Sequence, residues 1–227
     1  MFDLGKRIDN IKENIELAAK RSSRKTQDIT LLAATKGVDA SAITHAIDKG
    51  MRIFGENYIQ EAKKKITTIN EDIEWHFIGH LQTNKAKDAV KLFHTIHSLD
   101  SLRLAHIINT HAEKYERQLP IFIEINLSRE ESKSGIEEND LFLLAEQVLK
   151  MKNLKLVGLM TIPPILANPE DSRPYYKHLA CLLLQLNSKL NQNMQGLSMG
   201  MSRDYEVAIE EGATIVRIGS AIFGPRH

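Results

Sequence analysis

Eight short apolar segments alternate along the chain with longer stretches of helical spacing. β-branched and aromatic residues fill several of these segments, which cover residues 29–34, 52–55, 74–79, 93–98, 120–128, 154–162, 196–200 and 214–220. Runs of this length and composition are typical of strands, and strands that alternate with helices pair in parallel through right-handed crossovers. This alternation constrains the fold more strongly than any other feature of the sequence, and it predicts an α/β protein.

The intervening stretches carry helix signals. Helices are predicted over 39–49, 57–68, 100–115, 137–150, 173–192 and 203–211, with Asp39, Asp100 and Ser202 as N-caps and Gly50 and Gly212 as stops. The 227 residues are close to the roughly 250 that are usual for a closed eight-stranded barrel. The sequence therefore predicts a (β/α)8 TIM-type barrel, and a doubly wound open sheet is the structural alternative.

The first twenty residues predict an extra N-terminal helix. Leu4, Ile8, Ile11 and Ile15 recur at helical intervals with charged residues between them, a pattern of an amphipathic helix rather than a signal peptide or membrane span. No Gly-rich linker, low-complexity tract or charge block divides the chain. We therefore expect one domain over residues 1–227, located in the cytoplasm, with no membrane partner.

The charge balance argues against a nucleic-acid partner. Thirty Lys and Arg residues face 29 Asp and Glu residues, so the net charge is +1, whereas nucleic-acid binders show a basic excess or stripe. The lysine cluster at 63–65 is typical of a solvated helix face.

The single cysteine, Cys181, excludes an internal disulfide and a multi-cysteine metal site, and it is expected to be a buried, inert thiol. No extensive apolar interface is indicated, so a monomer is expected.

Function in such a barrel belongs at the carboxyl ends of the strands. Polar and small residues gather at these ends: Lys36, Glu56, Asn57, Gly79, His80, His97, Ser98, Asn126, Ser128, Met160, Thr161, Ser198, Gly200, Arg217, Gly219 and Ser220. On an otherwise apolar scaffold this pattern predicts a pocket.

Lys36 ends the first apolar segment, in the stretch TLLAATKG. It could extend to water, as most strand-end lysines do, or pair with a carboxylate such as Glu56. It could also be a Schiff-base lysine, because partial desolvation favours the neutral amine that attacks an aldehyde.

The stretch LSMGMSRDYEVAIEEGATIVRIGSAIFG (197–224) offers an anion site. Loops after strands 7 and 8 of α/β barrels frequently bind phosphate, and small residues and a helix N-terminus favour an anion. Ser202, Gly219 and Ser220 are the candidates, although strand-to-helix turns use the same residue types structurally. An amine at one end and an anion site at the other fit pyridoxal 5′-phosphate (PLP).

Arg217 lies within a strand and cannot shed its charge. It could form an ion pair on the barrel rim, or it could donate a hydrogen bond to the pyridine nitrogen of the cofactor. The second arrangement weakens the ring as an electron sink, which suits holding the cofactor or mild racemase-type chemistry.

Six segments in one order resemble the pyridoxal-phosphate homeostasis protein family, whose members are similar to the barrel domain of alanine racemase. They are FGENYIQEAKKK (54–65), WHFIGHLQTNKAK (75–87), HSLDS (97–101), INLSREESKSGI (125–136), GLMTIPP (158–164) and the stretch 197–224. The resemblance implies a Schiff base on Lys36 and cofactor contacts at Asn57, His76, Ser202, Arg217, Gly219 and Ser220. It also implies a protein without robust catalytic activity that holds PLP or delivers it to client apo-enzymes.

Two other hypotheses stay open. One is a small amino-acid racemase that uses the same site, and the other is a barrel that binds a different phosphorylated metabolite without a covalent link. Racemisation needs two acid/base groups, and alanine racemases draw a tyrosine from a further domain. This chain ends three residues after Gly224, so no such domain is expected; Tyr58 and Tyr205 follow strands 2 and 7 and remain candidates.

Several polar residues have a structural alternative. The pairs His76/His80 and His94/His97 lie in strands, where such spacings do not share a face, so no metal site is expected. His76 is either adjacent to the cofactor or a hydrogen-bonded core histidine. Glu124 and Asn126 share a strand face and either line the barrel top or form a structural pair. Lys133, in a loop-like context, is expected to be solvated.

Overall fold

Eight parallel strands close into a barrel in the computed structural model, which describes residues 4–128, 130 and 134–225. The strands are β1 (Thr30–Ala34), β2 (Ile53–Glu56), β3 (Glu74–Phe77), β4 (Thr95–Leu99), β5 (Leu119–Glu124), β6 (Leu154–Met160), β7 (Gly196–Met201) and β8 (Ile215–Ile218). Each pairs with its neighbours in chain order, and β1 pairs with both β2 and β8. This closure confirms the predicted barrel and excludes the open sheet.

Helices surround the barrel and follow the strands in turn. They are α1 (Leu4–Arg21), α2 (Ala40–Asp48), α3 (Ile59–Thr68), α4 (Ala86–Leu92), α5 (Leu102–Lys114), α6 (Leu141–Leu149), α7 (Arg173–Leu190), α8 (Tyr205–Glu210) and α9 (Ser220–Phe223). None of the helices in the described part of the chain combines the length and apolar character needed to cross a lipid bilayer.

The extra N-terminal helix is confirmed. Ile8, Ile11 and Ile15 are buried on one face of α1, as their spacing predicts. The helix packs against α8 and α9, and the Asn14 side-chain amide donates to the hydroxyl of Tyr205 over 3.1 Å. Because Tyr205 is held in this way, its phenol is engaged in packing α1 onto the barrel.

Helix boundaries depart from the sequence prediction in three places. Helix α4 was not predicted, because its seven residues are fewer than the window over which a helical period is read. The N-cap of α5 is Ser101, whose hydroxyl accepts from the Leu104 N–H, and not Asp100. The N-cap of α8 is Asp204, and not Ser202. In contrast, α2 and α8 end two residues before Gly50 and Gly212, as expected.

Two side chains lie in environments opposite to those predicted. Cys181 is exposed on α7. The apolar residues around it are found on every side of the helix, and those of the run that are buried against the barrel are Leu179, Leu182, Leu183 and Leu186. Lys65 is buried beneath β1 and β2, although its neighbours Lys63 and Lys64 are exposed as expected. Lys133 lies outside the described residues.

Candidate functional site

A cavity of about 550 Å³ opens at the carboxyl ends of β1, β7 and β8. Its volume falls within the range of small-molecule sites. Six of the seven predicted site residues line it: Lys36, Asn57, Ser202, Arg217, Gly219 and Ser220. A larger groove of about 840 Å³ lies at the opposite end, near Thr30, Leu154 and Gly196. Because α/β barrels place their chemistry at the carboxyl face, the smaller cavity is the candidate site.

The Lys36 amine is chemically free within this cavity. Lys36 is half-buried, and its Nζ makes no hydrogen bond or ion pair with any described residue. The ring of Tyr58 lies 4.9 Å from it. Pairing with Glu56, one of the sequence-based alternatives, does not occur, because that carboxylate bonds to Lys65. The amine is therefore available to a ligand that enters the cavity.

A buried hydrogen-bond network holds the backbone on both sides of Lys36. Lys65 Nζ donates to the Thr35 carbonyl, Glu56 Oε1 and Glu61 Oε1, each over 2.6 Å. Gly37, whose φ of +71° turns the chain after the lysine, donates its N–H to Glu61 Oε1 over 2.6 Å. We call these residues, with the Thr35 hydroxyl that donates to Glu56, the Lys65 network. It fixes where Lys36 leaves β1.

The Lys65 network depends on its one cation. All three ammonium protons are used, and Glu56 is fully buried. Burial raises the pKa of the Glu56 carboxyl above its usual value, against the opposing hydrogen bond from Lys65, and Glu56 Oε2 has no hydrogen-bond partner among the described residues. A buried carboxylate in this state is costly without its cation.

The predicted anion-site residues Ser202, Gly219 and Ser220 lie together, and with Ala221 they form a cluster that we call the anion cup. The Ser202 hydroxyl accepts from the N–H groups of Gly219 and Ala221, each over 3.2 Å. This bond ties the end of β7 to the end of β8, which is why Ser202 does not cap α8. Helix α9 has only four residues, so the cup consists of individual N–H and hydroxyl groups rather than a helix dipole.

Arg217 is buried in the barrel and has no ion pair with a described residue. Its NH1 donates to the carbonyl and hydroxyl of Ser198 over 2.6 and 2.7 Å, and its NH2 donates to the Thr161 carbonyl over 3.0 Å. These bonds use three of the five guanidinium protons. The remaining donors and the cavity-lining position leave Arg217 able to bond an acceptor on a ligand, whereas the alternative of a rim ion pair does not occur.

Asn57 and His76 take different positions relative to the cavity. Asn57 follows β2 and lines the cavity; a Cβ at residue 79 would lie 2.4 Å from its carbonyl oxygen, so Gly79 permits this close approach. His76 is buried inside the barrel and is not among the cavity-lining residues. Its Nδ1 lies 2.9 Å from His97 Nε2. Direct contact of His76 with a cofactor stays a prediction.

Glu124 lies beside the cavity as a buried carboxyl. It is 4% exposed and lines a recess of about 130 Å³ that shares Asn57, Ile78 and Ile162 with the main cavity. Burial raises the pKa of Glu124 to about 7, and nearby Arg217 opposes this shift. Of the two alternatives for this strand face, the structure favours the barrel lining, because the buried Glu124 side chain lines this recess.

Replacing Glu124 by Gln should stabilise the protein in a pH-dependent way. Folding raises the pKa of the Glu124 carboxyl. The free energy of unfolding therefore falls as the pH rises from the pKa of this group in the unfolded chain through its pKa in the folded protein. The gain from E124Q should therefore be about 2–3 kcal/mol larger near pH 8 than near pH 5. Urea unfolding of the ligand-free protein at both values measures it. Exposed Glu113 provides the control E113Q, and an equal pH dependence in both variants would contradict the assignment.

Sequence reasoning missed the apolar side of the cavity. Ile162, Pro164, Ile165 and Leu166 form it, and Ile165 is 86% exposed. They follow β6 directly, so the rule that loops after strands line the site could have identified them.

The histidines do not assemble a metal centre in the described ranges. No group of three or more His, Cys, Asp or Glu side chains there could hold an ion. His76 meets His97 from the neighbouring strand instead of His80 from its own.

Sequence comparisons identify relatives along the whole chain. The family profile described as "Alanine racemase, N-terminal domain" matches residues 7–227. The pyridoxal phosphate homeostasis protein of Aquifex aeolicus (strain VF5) is 45% identical over 221 residues, 97% of each chain. The protein of the same name from Escherichia coli (strain K12) is 40% identical over 230 residues, which cover 100% of this chain and 98% of the relative.

Comparisons with solved structures point to the same family. PipY of Synechococcus elongatus PCC7942 with PLP bound superposes with a TM-score of 0.85 at 32% identity, covering 98% of this chain and all of PipY. Alanine racemase of Clostridium difficile 630 superposes with a TM-score of 0.79 over 99% of this chain and 57% of the racemase, and at 14% identity it shares the fold alone. The chain therefore belongs to the pyridoxal phosphate homeostasis protein family, which carries the alanine racemase N-terminal domain.

Proposed function

We propose that this protein binds PLP and serves its homeostasis in the cytoplasm, holding the cofactor through a Schiff base on Lys36 without robust catalysis. The whole chain, residues 1–227, acts as one PLP-binding domain. The anion cup holds the phosphate, and Arg217 donates to the ring nitrogen. We further propose that the protein is a monomer that hands the cofactor to client apo-enzymes; its exposed large apolar residues, such as Leu17, Leu143 and Leu184, are scattered over different helices.

One observation carries the proposal: the free amine of Lys36, the anion-cup residues Ser202, Gly219 and Ser220, and Arg217 all line one cavity. An aldehyde and a phosphate are the two ends of PLP, and these residues offer a partner for each. PipY, a relative of nearly identical extent, is solved with PLP bound. The donor set therefore fits this cofactor.

The residues of the chain favour holding of the cofactor over catalytic turnover. Bound PLP supplies an electron sink for amino-acid chemistry. A guanidinium that donates to the ring nitrogen opposes protonation of that nitrogen, so Arg217 makes the bound cofactor a weaker electron sink. Ile162, Pro164 and Leu166 give the cavity that Lys36 lines an apolar wall.

A racemase-like activity is the second candidate, and the position of Tyr58 favours it. Its ring centroid lies 4.9 Å from Lys36 Nζ and the residue is 51% exposed, so Tyr58 lies beside the proposed reaction centre. Tyr205 does not compete for this role, because its hydroxyl accepts from Asn14. Sustained racemisation of an amino acid that is lost in Tyr58→Phe would establish the second candidate and reject the carrier.

Binding measurements with PLP and pyridoxal test the function directly. We expect a visible absorbance band with PLP and an affinity for pyridoxal, which lacks the phosphate, that is weaker by about 100-fold, since each charged hydrogen bond contributes about 1.5–3 kcal/mol. S202A should weaken PLP binding by about tenfold and leave pyridoxal binding unchanged. Equal affinities for the two ligands in the unmodified protein would contradict the anion cup.

A further inference from the structure

A line of four hydrogen bonds crosses the barrel from one face to the other. Arg217 NH1 donates to Ser198 Oγ over 2.7 Å, and Ser198 Oγ lies 2.8 Å from His97 Nδ1. His97 Nε2 lies 2.9 Å from His76 Nδ1, and His76 Nε2 lies 3.2 Å from Glu74 Oε2. Glu74 begins β3, at the face opposite the cavity, and its side chain is 58% exposed.

With both imidazoles neutral, the carboxylate end of this line fixes the direction of the bonds between Glu74, the two histidines and Ser198. Arginine can only donate, and an ionised carboxylate can only accept. His76 must then carry its proton on Nε2, which makes its Nδ1 an acceptor for a proton on His97 Nε2. His97 Nδ1 is in turn left to accept from the Ser198 hydroxyl. One arrangement therefore satisfies all four bonds with both imidazoles neutral.

Burial and packing support this arrangement. His97 is fully buried and His76 is 4% exposed. Burial lowers the pKa of both imidazoles, and for His97 the charges of His76 and Arg217 lower it further. His97 also stacks on Phe122, with ring centroids 4.5 Å apart, so its ring has a defined orientation.

We propose that Ser198, His97 and His76 form a one-way hydrogen-bond relay that positions Arg217 and links its charge to Glu74. His76 is then a positioning residue that acts through Arg217, in place of the direct cofactor contact expected from the sequence. The relay itself is a property of the ligand-free protein. Its effect on cofactor binding rests on the proposed function of Arg217.

Nitrogen-15 NMR of the histidine rings tests the relay without any cofactor. At neutral pH we expect both His76 and His97 as neutral rings protonated on Nε2. Replacing exposed Glu74 by Leu should remove the constraint from one end and give His76 a mixture of tautomers, whereas E74Q keeps an acceptor and should preserve the single form. A proton on Nδ1 of either ring, or a doubly protonated ring, in the unmodified protein would overturn the relay.

Cofactor binding tests the consequence for Arg217. We expect E74L to weaken PLP binding by about tenfold, the effect of one net hydrogen bond, and to shift the visible band. Glu71→Leu, an exposed change close by in sequence, should alter neither. Equal affinities and spectra in the two variants would overturn the link to Arg217, whereas failure of the unmodified protein to give any visible band would instead reject the proposed function.

Discussion

Replacing Lys65 by Met should lower the free energy of unfolding by about 3–5 kcal/mol, the usual cost of removing one partner from a buried ion pair. Lys65 is the cation of a network in which Glu56 is fully buried and already has one oxygen without a partner. Its loss leaves the Glu56 carboxylate uncompensated beneath β1. The same change releases the Thr35 carbonyl beside Lys36, so PLP binding should weaken as well. Urea unfolding and a PLP titration measure the two effects.

The neighbouring residue provides a matched control. Lys64 is exposed on the same helix, so K64M should change the free energy of unfolding by no more than about 0.5 kcal/mol. The double variant K65M/E56Q removes the buried charge together with its cation, and it should recover much of the lost stability because a neutral pair costs less than an orphaned ion. Equal stabilities of K65M and K64M would contradict the structural role of the Lys65 network.

Lys36→Ala should abolish the visible PLP band and leave stability nearly unchanged. Lys36 makes no hydrogen bond or ion pair with a described residue, so its removal costs the fold little. The Schiff base is an intramolecular reaction of a ligand that the anion cup already holds, and effective molarities in such cases are large. We therefore expect PLP affinity to fall by on the order of 100-fold or more. Absorbance and equilibrium dialysis check both parts.

Lys85→Ala separates this effect from the reaction of PLP with surface amines. Lys85 lies near Tyr58 on the same face of the barrel but does not line the cavity. Its replacement should leave the band and the affinity unchanged. A K36A protein that kept the band, or a K85A protein that lost it, would contradict the assignment of Lys36.

The fold was accessible from the sequence because it depends on local periodicity. All eight apolar segments became strands, and Gly50 and Gly212 mark the ends of their helices. The errors arose where the pattern is weak or where tertiary structure decides. Helix α4 has seven residues, fewer than the window over which a helical period is read. Ser202 is a plausible cap by type, yet its hydroxyl bonds to a neighbouring strand end 17 residues away in sequence.

Burial of single polar side chains was not accessible in the same way. Lys63, Lys64 and Lys65 look alike in sequence. The rotation of α3 relative to β1 decides that Lys65 is the one buried against the barrel. Cys181 lies in an apolar run, but α7 presents it to solvent.

The convergence of the candidate residues could be predicted in outline, because strand ends converge in a barrel. Six of seven predicted residues lie on one cavity, while His76 lies inside the barrel and contacts His97 from another strand. Cross-strand contacts of this kind depend on barrel register, which the sequence does not encode locally. The same holds for Glu124, whose recess shares its lining with the cavity only once the barrel is closed.

Borohydride reduction of the PLP-loaded protein, followed by peptide mass spectrometry, tests the central claim most directly. Reduction makes an imine bond permanent, so the label reports which amine carried the cofactor. We predict the phosphopyridoxyl group on Lys36, within the peptide that follows β1. A label on another lysine, or none on a protein that has bound PLP, would contradict the account.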